Sequence, residues 1–94
     1  MQTELFEWDD AKAARNLLIH EVDFQEAKTV FEDPFAITIS DELHSEDELR
    51  SITLGLSLLE KVLLVVHTER KERIRIISAR KATPSERSQY ESER

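Results

Sequence analysis

The side chains best suited to chemistry gather in the second half of the sequence: Arg50, then His67 and Glu69 two residues apart, then Arg73, Arg75 and Arg80. A histidine and a carboxylate can move protons, and guanidinium groups hold a phosphate through paired hydrogen bonds. RNA carries its own nucleophile in the ribose 2′-hydroxyl. A base, an acid and cations around the phosphorane oxygens therefore suffice to cleave it without a metal. His67 or Glu69 is the candidate base or acid, and the arginines are the candidate phosphate clamp. The competing reading is structural: a histidine ending a buried strand with its ring bonded to a neighbouring backbone group, beside a solvated charged strand and turn. No Gly-rich phosphate loop, paired-histidine metal helix or nucleophile elbow is present, and the single glycine, Gly55, excludes several of these.

Other ionisable or aromatic residues read more simply. His20 falls at the end of a predicted helix, where it would face the negative end of the dipole. Asp41, His44 and Glu48 have metal-ligand types, but nothing fixes their geometry, and the acidic stretch 41–48 reads as an exposed loop. Glu86 sits where it caps a helix, and Trp8 and Tyr90 read as packing residues.

The elements that must position these groups follow from periodicity. Glu4 to Trp8 alternates weakly and predicts a short strand with Leu5 on one face and Phe6 and Trp8 on the other. Asp9 is an N-cap, and Ala11, Ala14, Leu17 and Leu18 recur at helical spacing up to His20-Glu21. Asp23 and Glu26 form a capping box, with Val22 and Ala27 at the staple positions. Phe24, Ala27, Val30 and Phe31 then make one apolar face of a second helix that ends before Pro34.

Four strands follow. Residues 35–40 are β-branched-rich, and residues 50–57 alternate, with Ile52, Leu54 and Leu56 predicted buried and Ser51, Thr53, Gly55 and Ser57 open or polar. Residues 61–68 form the continuous apolar run of a central strand, and residues 73–79 put Ile74 and Ile76 inward and Arg73 and Arg75 outward. Thr83, Pro84 and Glu86 start a last helix toward Tyr90. The order β-α-α-β-β-β-β-α, with short connections between the last strands, predicts an α+β two-layer fold: an antiparallel meander with two N-terminal helices on its apolar face. Neither 58–60 nor 69–72 contains Gly, Asn or Pro, so longer loops are expected there in place of tight primed turns.

Composition narrows the class. Ninety-four residues, 39% hydrophobic and 35% charged, fit one globular domain over 1–94 with no repeat or linker. The absence of cysteine excludes a disulfide scaffold and a thiolate zinc site, and it fits a reducing cytoplasm. Val62 to Val66, the longest apolar run, is far short of a membrane span. The net charge of −7 argues against a generic polyanion binder but hides two halves. Residues 1–48 hold three basic against fourteen acidic side chains, and residues 49–94 hold ten against six. An anion site is therefore expected in the second half.

Many short segments, in order, resemble the BrnT family. They are Phe6-Glu7-Trp8-Asp9 with Lys12 and Asn16-Leu17; His20 through Phe24 to Ala27; Asp33-Pro34; and His44-Ser45-Glu46. They continue with Arg50-Ser51-Ile52-Thr53-Leu54-Gly55, Val65-Val66-His67-Thr68-Glu69-Arg70, and Arg75-Ile76-Ile77-Ser78-Ala79-Arg80-Lys81-Ala82-Thr83 with Glu86-Arg87 and Tyr90. The resemblance implies a RelE-like fold and a type II toxin, a ribonuclease that arrests growth by cutting RNA. It also implies a BrnA-like antitoxin that wraps the toxin and contacts DNA through its own module, with room for a toxin dimer in the complex. No cofactor or metal is implied. Carried over residue by residue, it nominates Arg50, His67, Glu69, Arg75 and Arg80 as RNA-site members.

The chain departs from the family pattern at three places. Ile19 and Glu21 stand where members commonly have Lys and Gly, and the turn at Glu69 to Glu72 lacks a frequent glycine. These departures and the net acidity support an alternative, a non-catalytic binding module acting within a toxin-antitoxin repressor complex. A third idea is that the acidic first half binds a basic partner.

Overall fold

The computed structural model describes residues 1–44 and 48–92, with His44 described by its backbone alone. The elements are β1 (Phe6–Glu7), α1 (Asp10–His20), α2 (Phe24–Ala27), β2 (Ile37–Ser40), β3 (Arg50–Leu56), β4 (Val62–Arg70), β5 (Arg73–Lys81) and α3 (Pro84–Ser92). Short 3₁₀ turns cover Lys28–Glu32 and Glu42–His44. The sheet order is β1-β5-β4-β3-β2; every pairing is antiparallel except β1 with β5. This is the predicted α+β architecture, with β4 central.

Helix starts obey local chemistry. Asp9 Oδ1 accepts from Ala11 N at 2.8 Å and Lys12 N at 3.0 Å, and Thr83 and Glu86 exchange both bonds of a capping box at 3.1 and 2.9 Å. Asp23 caps α2 through Gln25 N at 2.9 Å, but the expected reciprocal bond from Glu26 does not form. Glu26 instead accepts a 2.6 Å bond from Ser57 Oγ, because it is buried against β3 and its end. The second helix is also shorter than its apolar spacing predicts: after Ala27 the chain tightens into 3₁₀ geometry through Glu32.

Two corrections concern which face is buried. On α1 the periodic positions Leu17 and Leu18 are exposed, and Asn16 is the residue turned inward. Its amide donates to Val22 O at 2.9 Å and Ala79 O at 2.8 Å and accepts from Ala79 N at 3.1 Å. Asn16 thus closes the outer edge of β5 beyond the reach of β1, and a strand's unpaired peptide explains a buried polar side chain. On β3 the expected open residues Thr53, Gly55 and Ser57 are buried beneath α2 and the turn that follows it. A Cβ on Gly55 would lie 3.1 Å from Ala36 Cβ and 3.2 Å from Val30 Cβ, so the turn sits as close as a bare backbone allows.

Both faces of the sheet are therefore covered, by different partners. Trp8, Val22, Phe24, Ala27 and Val30 pack on Leu63, Val65, Ile76 and Ala79 to make the main core. On the opposite face α3 lays Tyr90 over Leu54, Leu56, Val62 and Leu64. Tyr90 Oη donates to Asp33 Oδ2, which also accepts from Leu56 N at 2.8 Å, so one carboxylate fastens α3 to the sheet. Each such fully buried apolar side chain contributes about 1.5–3 kcal/mol.

One turn overturns its expectation. Arg70 pairs with Arg73, which leaves a two-residue hairpin with Lys71 at φ 51° and Glu72 at φ 68°. That is a tight primed turn built without glycine or asparagine, imposed by the register of two nine-residue strands. The 57–61 connection is the longer loop predicted, closed by Glu60 at φ 61°.

Candidate nucleic-acid interface

Strand alternation puts the nominated arginines on the face opposite α2. Arg50 pairs with Thr68 and Thr68 with Arg75, and β1 adds Glu7 beside Arg75. Arg50 and Arg75 are thus two strands apart, about 10 Å between backbones. A β-bulge between Val66 and His67 leaves Ile77 unpaired opposite them. The extra residue keeps Ile74, Ile76 and Ala79 on the core side and sends Arg75, Ser78 and Arg80 to the other.

Arg75 and Arg80 are each held by a carboxylate. Arg75 Nη1 donates to Glu7 Oε2 at 2.7 Å. Arg80 meets Glu86 in a fork, at 2.8 Å from Nη1 to Oε1 and 2.9 Å from Nη2 to Oε2. The hydrogen bonds from Arg80 and the Thr83 backbone hold the Glu86 carboxyl down to about 2. Such pairs fix the direction in which each arginine points, leaving further donors of the fork for a phosphate.

Arg50 joins cations from α1 whose grouping with the sheet the sequence does not show. Lys12, Arg15, Ile19 and His20 from α1 line one groove together with Arg50, Ile77 and Ser78 from the sheet. Positions 12, 15, 16, 19 and 20 recur at helical spacing, so a stripe pointing at the sheet was present in the sequence. The apolar positions Leu17 and Leu18 of the same helix mask it, because their spacing predicts the inner face while the structure leaves them exposed. The groove thus draws Lys12, Arg15 and His20 from the acidic half to meet Arg50 from the basic half. His20, at the last turn of α1, also occupies the dipole position expected of it.

His67 and Glu69 lie on the other face. His67 is buried, its ring edge-on to Phe31 at 4.8 Å, with Nε2 2.7 Å from Thr53 Oγ1, which is 2.8 Å from Thr38 Oγ1. Burial lowers its pKa to about 4, so the ring is neutral at pH 7. Nδ1 is buried without a partner among the described residues, and the least costly tautomer carries its proton on Nε2, donated to Thr53. Glu69, exposed near the end of β4, lines a cleft with His67, Ser51, Thr38, Thr68, Glu48 and Leu49. The five nominated residues therefore divide: Arg50, Arg75 and Arg80 share a face, while His67 and Glu69 open toward another cleft. Among the described residues no three His, Asp or Glu side chains gather, and His44 adds a side chain outside the described set.

A family model described as the ribonuclease toxin BrnT of a type II toxin-antitoxin system matches residues 8–86, most of the chain. The chain belongs to the BrnT family. A crystal structure of the Brucella abortus ribonuclease toxin BrnT shares the fold with a TM-score of 0.66, covering 86% of this chain and 99% of that one at 19% identity. Comparison with curated protein sequences gives no match. BrnT membership makes two local departures physically legible. Glu21 takes the left-handed conformation at the C-cap of α1, φ 58° and ψ 29°, a position that suits glycine. Ile19 lines the cationic groove, where a lysine would add a further positive charge.

Proposed function

We propose that this BrnT-family chain is an endoribonuclease toxin of a type II module, acting in the cytoplasm and neutralised by a BrnA-like antitoxin. The observation that carries the reading is the convergence of Lys12, Arg15 and His20 with Arg50 in one groove beside Arg75 and Arg80. Arg50, Lys12 and Arg15 receive the RNA phosphate, and Arg75 and Arg80, oriented by Glu7 and Glu86, stabilise charge that develops on its oxygens. His20 is the groove's proton carrier: it takes the 2′-hydroxyl proton as the 2′-oxygen bonds to phosphorus, the bond from phosphorus to the 5′-oxygen breaks, and the departing 5′-oxygen takes a proton from water. His67 supports the sheet from behind, and Glu69, on that same far side beside Glu48, takes no part in the step. The RNA provides the nucleophile, so the step requires no cofactor.

A second reading, a binding module without cleavage, is favoured by Ile19 in the groove and by the carboxylates that already engage Arg75 and Arg80. Expression in a bacterial host, with and without the protein encoded by the adjoining reading frame, separates the two. Growth arrest with fragmented RNA, relieved by the neighbour, is expected. Normal growth with intact RNA at confirmed soluble expression favours the second reading, and an Ile19→Lys variant that then cleaves RNA identifies the missing charge as the cause.

A further inference from the structure

The two edges of the sheet are finished differently. Beyond β1, β5 is closed by Asn16, whose side chain bonds both the N–H and the C=O of Ala79. At the other end, among the described residues, β2 pairs only with β3. Asp41 N–H donates to Arg50 O at 2.8 Å, so antiparallel alternation turns the N–H and C=O of Ile37 and Ile39 toward β3 and those of Thr38 and Ser40 outward. That outward edge has no charged side chain, no proline and no bulge: Phe35 to Ser40 is an uncharged run in a chain that is 35% charged. Soluble proteins ordinarily protect such an edge with one of these devices. Exposed apolar side chains surround it, Ile39 at 59%, Leu43 at 93% and Leu49 at 75%. The polar surroundings are acidic, with Glu42 and Glu48 beside the strand in a half of the chain that holds fourteen acidic and three basic side chains.

We infer that the outer edge of β2 receives an extended segment of the antitoxin as a sixth strand, with apolar residues at alternate positions and lysines or arginines flanking them. This rests on the antitoxin reading above. Main-chain bonds to Thr38 and Ser40 supply affinity, Ile39 selects the apolar side chains, and the acidic surroundings select the basic flanks. A second copy of this chain fits the edge poorly, because it would bring two chains of net charge −7 together with their acidic segments alongside.

The test is calorimetric binding of the full chain to the protein encoded by the adjoining reading frame, with amide hydrogen exchange on the complex. Ser40→Pro removes one outward N–H without touching the β2–β3 ladder, and Ile39→Lys adds a like charge against the basic segment. Both are expected to weaken binding tenfold or more with unchanged melting temperature, while Leu59→Lys, in the turn between β3 and β4, leaves binding unaltered. Thr38 and Ser40 amides gain protection in the complex. Wild-type binding that both edge variants retain, with no protection at Thr38 and Ser40, overturns the edge assignment and leaves the antitoxin reading standing. No binding by the wild-type chain overturns the antitoxin reading itself, and the edge assignment with it. Self-association of the chain alone that Ser40→Pro abolishes assigns the edge to a second copy and also overturns the proposal.

Discussion

On the face turned toward α2, polar side chains are buried and bonded to one another, His67 to Thr53 and Glu26 to Ser57, with Thr53 meeting Thr38 at the exposed edge. On the opposite face Arg50, Arg75 and Arg80 stand beside apolar residues that α3 only partly covers. The same alternating strands supply both. A sheet residue's type therefore does not by itself say whether it is buried or available; its partner across the layer decides. His67 and Arg75 sit on neighbouring strands, yet one is a buried ring against Phe31 and the other is held by Glu7 on the opposite face.

Separating the faces by substitution has the largest expected effect. Arg50→Ala is expected to lower RNA cleavage per folded molecule about a hundredfold, or about 3 kcal/mol. His67→Leu shifts melting while activity per folded molecule persists. Measuring both quantities on both variants checks the division, and a His67→Leu protein that is folded but inactive would join the two faces into one site.

Next in size is the pH response of the helix-covered face. His67 is neutral in the folded chain down to about 4 but protonates near 6.5 once unfolded. The unfolded state binds more protons in that window, so stability falls as pH drops from 6.5 to 4, by about 3 kcal/mol from this group. Denaturant melts across that range should show the slope, and His67→Leu should flatten it.

A smaller effect probes how α3 is fastened. Tyr90→Phe keeps the ring but removes the bond to Asp33, and urea denaturation should show a loss of about 1–2 kcal/mol. The arginine face, on the same side of the sheet, should then lose some of its order around Arg80 as the Glu86 end of α3 loosens. The smallest change lies outside both faces. Replacing Lys71 by Asn and Glu72 by Gly relieves two left-handed residues in the hairpin and should raise stability by about 1 kcal/mol in the same assay.

Much of the fold was legible because its signals are local. Asp9, Asp23 and Thr83 each cap the helix predicted from them, and the apolar run from Val62 is the central strand. The Phe6 and Trp8 face packs as read, through Phe31 and Phe24. The site was legible in its residue types but not in its grouping. Arg50, Arg75 and Arg80 share a face because of an even strand spacing and one bulge, and only the spacing can be read from the chain. His67 was nominated for chemistry by type, while its place under Phe31 depends on a turn 36 positions away in sequence.

What the sequence determined by itself was whatever depends on neighbours within a few residues: caps, strand periodicity, the stop before Pro34, and family membership through many short ordered segments. What only the tertiary structure decided was which stripe of α1 turns inward, how the 71–72 hairpin closes and which cations meet. Asn16 enters because the edge of β5 leaves a peptide to be bonded, and Lys12, Arg15 and His20 reach Arg50 only once that contact has set the helix along the sheet. Such choices depend on which unpaired group or open volume lies opposite, and that is supplied by residues distant in the chain.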